Sequence, residues 1–315
     1  MADARSDRHG RCNAWGGYMP TEAVAFVNTI FVPIGLMLIM FSLGLTLALN
    51  DFRLVLARPK LVFAGLGGQL LLMPLLALAL GVAFRLPPEL ALGLFILGIC
   101  PAGTTSNALT FVGRGNVALA VVLTALSSFI TVFTIPLALS WALQHFTIPG
   151  TLPKLSILGT ATQLVRITIL PIAIGMLVRR FAPATTPRLV VWLRPTSLIV
   201  MIGVIAFSVL VSFDMVMMNL VRAGPAIWAL NVVATLAGLL IAKGIAADAR
   251  DAMTLAIEVG VHNVTLAIFI TLSVLDSLPL AVMQNIYGVI MLFNAGLLIR
   301  WCQSKIAREV AVRRT

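Results

Sequence analysis

This sequence predicts an all-α polytopic membrane protein with nine transmembrane helices, and three observations predict it. Of its 315 residues 60% are apolar and 10% charged, and the mean hydropathy is +1.05, beyond what the polar surface of a water-soluble domain allows. Nine stretches are long and apolar enough to cross hydrocarbon, where only intrahelical bonding satisfies the backbone N–H and C=O groups. Two of the nine are interrupted near their middle by polar and helix-breaking residues. A cytosolic enzyme, a nucleic-acid-binding module and a disordered regulator are excluded. No nucleic-acid partner is expected despite the formal charge of +11, because the basic excess belongs to the membrane's topology.

In chain order, residues 1–22 are polar and lack a signal-peptide layout, and they read as a disordered tail or as an upstream extension of a chain starting at Met19. The spans follow at about 23–49, 61–84, 90–112, 117–142, 155–178, 190–212, 224–242, 253–275 and 280–300, and a basic tail occupies 305–315. Loops between them are too short for a separate soluble domain. With the N-terminus outside, the inner segments carry Arg53, Arg58, Lys60, Arg114, Arg179, Arg180, Arg188, Arg194, Lys243, Arg250, Arg300, Lys305, Arg308, Arg313 and Arg314. The outer ones carry only Arg5, Arg8, Arg11, Arg85, Lys154 and Arg222. This asymmetry predicts a multi-pass plasma (inner) membrane protein, N-out and C-in. Cys12, Cys100 and Cys302 fall too far apart for any disulfide.

Most spans read as featureless Leu, Ile, Val and Ala, with Pro33, Pro74, Pro136 and Pro171 expected to kink helices. The third is different, since it contains Cys100-Pro-Ala-Gly-Thr-Thr-Ser-Asn107, about 12 residues or ~18 Å from its outer end. The eighth contains Glu258-Val-Gly-Val-His-Asn-Val-Thr265, with Asn263 about 11 residues or ~16 Å from its inner end. Both interruptions reach mid-membrane. They sit 156 residues apart, about half the chain, in spans of opposite direction, the layout of inverted repeats with two discontinuous crossing helices.

A break at Pro101–Gly103 lets Thr104, Thr105 or Ser106 cap a new half-helix, and Gly260 with Asn263 can do the same from the other side. Two half-helix starts at one depth favour an anionic group, while the unwound carbonyls suit a small cation. Glu258 is the only acidic residue placed within a span, where a charge costs at least ~2.5–3.5 kcal/mol. Oxygen donors able to share a hard cation with it are Ser106, Asn107, Thr124, Ser127, Gln69 and the carbonyls of Val259 and Val261. Thr124 and Ser127 lie one turn apart on the fourth span. Their alternative is back-bonding to the preceding turn, and that of Asn107 and Asn263 is interhelical bonding. His262 is open to packing, to neighbouring a cation or to carrying a proton. Arg166, alone and mid-span, is open to meeting the anion or to stabilising helix packing.

These residues bring out a resemblance. Phe41-Ser-Leu-Gly-Leu-Thr-Leu with Asn50-Asp51-Phe52, Gly68-Gln69 with Met73-Pro74, the Cys100–Asn107 motif with Arg114-Gly-Asn-Val-Ala-Leu, and Ile257-Glu-Val-Gly-Val-His-Asn263 together resemble the bile acid:sodium symporter family over about residues 30–304. The resemblance implies a secondary transporter spanning about 23–304. Panel helices would lie near 23–49, 155–178 and 190–212, and core helices near 61–142 and 224–300. It implies uptake of an organic anion, from pantoate-like or keto and hydroxy acids to bile-acid-like steroids, with one or two sodium ions. Ser106, Asn107, Thr124 and Glu258 would then hold one ion, with Ser127 one turn along the same face. Gln69, Glu258 and the carbonyls of Val259 and Val261 would hold the other. Substrate would approach Thr104, Thr105, His262 and Asn263. Ala120 and His262 depart from the family's usual Ser and Gln, each removing one oxygen ligand. The rival expectations are proton-coupled or sodium-independent transport and, in another class, a membrane-embedded enzyme using Glu258 and His262 as an acid–base pair. No obligate protein partner is evident.

Overall fold

The structure, a computed structural model, describes residues 25–146 and 155–312. The expected N-terminal tail, 1–22, lies outside them. The described chain is an all-helical integral membrane protein whose longer helices are α1 (Val27–Thr46), α2 (Pro59–Ala83), α3 (Pro88–Ile99), α4 (Thr104–Val112), α5 (Val117–Phe146), α6 (Ile157–Phe181), α7 (Thr186–Val211), α8 (Phe213–Gly244), α9 (Ala249–Gly260), α10 (Val264–Val274) and α11 (Leu278–Val312), with two short turns of helix at Leu49–Phe52 and Arg53–Ala57 between α1 and α2. Seven of these are long and apolar enough to cross a bilayer alone: α1, α2, α5, α6, α7, α8 and α11. The remaining four form two interrupted pairs, α3–α4 and α9–α10, at the third and eighth expected spans.

Several boundaries differ from expectation. The seventh span was expected to begin near residue 224, but α8 begins at Phe213, so only Ser212 separates it from α7. Asp214, Asn219 and Arg222, polar enough to suggest a loop, extend the helix past its apolar part because nothing in 213–223 breaks it. Likewise α11 continues to Val312, through most of the expected basic tail.

Proline leaves a recurring mark. Pro33, Pro74 and Pro171 each follow by two residues a widened turn with i to i+5 bonding, at Val27–Phe31, Gly68–Leu72 and Val165–Ile169 respectively. Proline has no N–H to donate and its ring crowds the carbonyl four residues back, and widening the turn before it relieves that crowding. Pro136 lies inside α5 with no such turn. The widened turn of α2 carries Gln69, and that of α6 carries Arg166.

The best-covered long helix is α5 and the least covered is α7, with 67% and 24% of their apolar windows buried. α9 is sandwiched between α8, α11, α5 and α4. Tight glycine contacts make that possible: a Cβ on Gly238 of α8 would come within 2.7 Å of the α9 backbone at Ala256, and one on Gly68 of α2 within 2.6 Å of Val259. The two interrupted pairs therefore lie in the buried middle of the molecule.

Candidate functional site

Each break follows from its residues. α3 ends at Ile99 because Pro101 cannot donate to the helix and disfavours helical geometry in Cys100, which is extended (φ −74°, ψ 145°). α9 ends at Gly260, and Val261 is extended too (φ −121°, ψ 108°). The two extended segments pair. An isolated antiparallel bridge joins Ala102 to His262, and the Asn263 amide donates to the Pro101 carbonyl at 2.8 Å. A Cβ on Gly103 would lie 3.3 Å from the Asn263 Cα, so the crossing closes over a hydrogen atom and nothing larger fits without displacement.

The caps turn out unequal. Asn263 caps α10, its Oδ1 accepting from the Leu266 amide at 3.0 Å. At α4 no side chain caps the start, correcting the expectation for Thr104, Thr105 and Ser106. The Ser106 hydroxyl instead donates to the Gly103 carbonyl (2.7 Å), and that of Thr105 reaches the Met201 sulfur on α7 (2.7 Å). The first amides of α4 therefore keep their partial positive charge uncapped.

Beside the crossing, Glu258 is wholly buried. Its Oε2 accepts from Gln69 Nε2 and from Thr124 Oγ1, both at 3.1 Å. The Thr124 hydroxyl also lies 3.3 Å from Asn107 Oδ1. One O–H has one proton, so of these two oxygens only one can receive it, and three oxygens from α4, α5 and α9 converge with a deficit of hydrogen. Around them, Glu258 Oε1 and Gln69 Oε1 are buried acceptors without a partner, and Asn107 Nδ2 is a buried donor without one. Ser106 borders the carboxyl group. Ser127, on the same side of α5, spends its hydroxyl on the Thr124 carbonyl at 3.2 Å.

His262 places Nδ1 at 2.6 Å from the Cys100 carbonyl and Nε2 at 3.0 Å from that of Val259, and since a neutral imidazole carries one N–H it donates to one of the two. It lies between the two breaks and makes no bond to Glu258, so the geometry provides no acid–base pair. The donor side of the crossing has its own vacancy of partners: Asn263 Nδ2 is buried and unbonded. Arg166 is exposed and, among the described residues, makes no ion pair or hydrogen bond; it shares its face of α6 with exposed Leu158, Leu170 and Leu177.

Sequence reasoning passed over two groups. Spans seven and nine are not featureless, for Asn231 on α8 and Gln284, Asn285, Tyr287 and Asn294 on α11 are buried or half-buried polar residues in apolar runs. That rarity is itself the signal that marks them. At the start of α9, buried Asp251 accepts from Arg58 (2.6 Å) and from Asn116 Nδ2 (2.7 Å), tying the residue before α2 and the loop after α4 to the broken helix.

Residues 33–219 match the model of the Sodium Bile acid symporter family. Among similar proteins, the "Probable sodium/metabolite cotransporter BASS1, chloroplastic" of Arabidopsis thaliana is 29% identical over 290 residues, 89% of this chain and 70% of that protein. The "Uncharacterized sodium-dependent transporter YocS" of Bacillus subtilis is 32% identical over 271 residues, 82% of this chain and 80% of its own. The "Ileal sodium/bile acid cotransporter" of Oryctolagus cuniculus is 28% identical over 252 residues, 77% and 69% of the two chains.

Proposed function

From the premise that the chain belongs to the Sodium Bile acid symporter family, a family of transporters and not of enzymes, we propose that it is a sodium-coupled symporter of a small organic anion working by alternating access. The observation that carries this reading is the set of unmet buried polar atoms around the two breaks. Two acceptors without donors, Glu258 Oε1 and Gln69 Oε1, and one donor without an acceptor, Asn107 Nδ2, surround the carboxyl group, and a second such donor, Asn263 Nδ2, stands at the crossing. A cation answers the acceptors and a carboxylate answers the Asn263 donor. Both ions are cargo.

In this reading sodium enters among Glu258, Gln69, Thr124 and Asn107, with Ser106 and Ser127 beside them and the carbonyls of Val259 and Val261 adjacent. Its charge offsets that of the carboxylate, whose burial in hydrocarbon is otherwise unfavourable. With the half-helices held, the anion docks on Asn263 and the uncapped amides of Thr104 and Thr105, where the half-helix dipole favours negative charge. The close crossing at Gly103 supports a small carboxylate over a steroid.

Alternating access is supported by where the two bundles touch. Treating α1, α6 and α7 as the panel and the other helices as the core, the Asn28 carbonyl of α1 accepts from Ser273 of α10 (2.5 Å), and Ser212 after α7 accepts from Asn285 of α11 (3.0 Å). Both bonds lie at the same end of the molecule, the outer one in the N-out, C-in orientation within a plasma (inner) membrane, while a third contact between panel and core, Thr105 on Met201, lies beside the crossing. Opening at that end breaks the first two.

A second reading, one sodium ion instead of two, rests on His262. The family resemblance implies an amide at position 262 whose oxygen the imidazole lacks, and with its proton on Nε2, 3.0 Å from the Val259 carbonyl, His262 also takes that oxygen from a second ion. The test for both is uptake into proteoliposomes of a panel of carboxylates and bile acids under imposed sodium and proton gradients, with the sodium dependence fitted for its order. Uptake indifferent to sodium at every pH refutes the symport, and a second-order dependence refutes the single ion.

A further inference from the structure

Two buried side chains off the proposed ion path donate to one backbone oxygen, and a third, half-buried, holds one of them in place. The carbonyl of Gly260, the last residue of α9, accepts from Tyr287 Oη at 2.6 Å and from Asn231 Nδ2 at 2.7 Å. Asn231 Nδ2 also lies 3.3 Å from the Tyr287 oxygen, and its Oδ1 accepts from Asn294 Nδ2 at 2.7 Å. Tyr287 and Asn231 are buried, and Asn294 half-buried. A carbonyl oxygen has two lone pairs, and both of Gly260's are taken.

Packing explains how α8 comes so close. A Cβ on Gly260 would lie 2.2 Å from Thr235 Oγ1, and Thr235 is one turn beyond Asn231 on the same face of α8. Any side chain at 260 would push away the helix that brings Asn231 to the carbonyl.

We propose that Asn231, Tyr287 and Asn294 form a carbonyl clamp that sets which backbone oxygens at the α9 break are available to the transported cation. A helix end in hydrocarbon leaves carbonyls unbonded, and each would otherwise be a candidate ligand. Clamping removes Gly260 from that set. It also orients its neighbour: Val261 is extended, and successive carbonyls of extended chain point to opposite sides, so fixing Gly260 toward α8 and α11 turns the Val261 carbonyl away from them. The three residues are positioning residues, acting on the ion through the peptide. The inference rests on the proposed sodium symport and deepens it.

Tyr287→Phe, which deletes one hydroxyl and keeps the ring, is the test, with Asn294→Leu as a second variant should the first fail to fold. Two quantities are read on each purified variant: the sodium concentration for half-maximal uptake against substrate KM at saturating sodium, and the melting temperature in sodium chloride against choline chloride. Loss of one net hydrogen bond corresponds to about a tenfold change. The clamp predicts a sodium activation constant raised by about tenfold, a substrate KM at saturating sodium within twofold of wild type, and a smaller sodium-specific rise in melting temperature. A merely structural role lowers both melting temperatures alike and leaves their difference unchanged. An unchanged sodium constant in both variants overturns the clamp while leaving the symport standing. A wild-type protein that responds to sodium in neither measurement overturns both.

Discussion

Replacing Glu258 by Gln exchanges a carboxylate for an amide of nearly the same shape, so the folded state and the cation respond very differently. In the fold, Glu258 Oε2 accepts from Gln69 and Thr124, both at 3.1 Å, and an amide oxygen can accept both bonds. Bonds to a charged acceptor contribute about 1.5–3 kcal/mol and neutral ones about 0.5–1.5 kcal/mol, so weakening the two loses roughly 2–3 kcal/mol. Against that loss, removing the charge relieves an insertion penalty of at least ~2.5–3.5 kcal/mol. The apo protein should therefore be as stable as wild type, or more so. Sodium is another matter. A unit charge about 2.5 Å from a carboxylate oxygen gains about 6–7 kcal/mol at an effective dielectric near 20, and even half of that, after desolvation, exceeds a hundredfold in affinity. Glu258→Gln should keep a melting temperature in choline chloride equal to or above wild type, lose the additional rise in sodium chloride, and show no sodium-stimulated uptake. A folded variant whose sodium activation stays within tenfold of wild type would refute the assignment of the cation to this carboxylate.

Asn263→Ala removes the cap on Leu266 and the free amide at the crossing, so about 1 kcal/mol of stability should go with it, together with at least a tenfold rise in substrate KM in uptake assays. Gly260→Ala forces a Cβ into the Thr235 hydroxyl, which should lower the melting temperature by an amount equivalent to about 1–3 kcal/mol, partly recovered in the double variant with Thr235→Ala. Cysteines at Ser212 and Asn285, joined by an oxidant, should hold the α7–α11 contact shut and abolish uptake until a reductant is added; full uptake in the cross-linked protein would place the moving interface elsewhere. Asp251→Ala leaves Arg58 and Asn116 without their shared acceptor at the start of α9, and because Arg58 is half exposed the loss should be modest, about 1–2 kcal/mol by thermal shift.

The membrane class, the location of both breaks and the residues that flank them were legible in the chain alone. Backbone polar groups have no partner in lipid, so spans must be apolar helices, and proline, glycine and a cluster of small polar residues in the middle of one can only be an interruption. Glu258 stood out for the same reason, since a charge in hydrocarbon is conspicuous in any sequence. Pairing was a different matter. That Asn263 donates to Pro101, that Gln69 and Thr124 share one carboxylate oxygen while Ser127 turns back on its own helix, and that Asn231 reaches Gly260 from α8 all depend on distances between residues far apart in the chain. A periodicity tells which face a residue lies on, but which helix meets that face is decided by packing, and here by Gly238 against the α9 backbone and by Gly68 and Gly260 against the side chains of Val259 and Thr235.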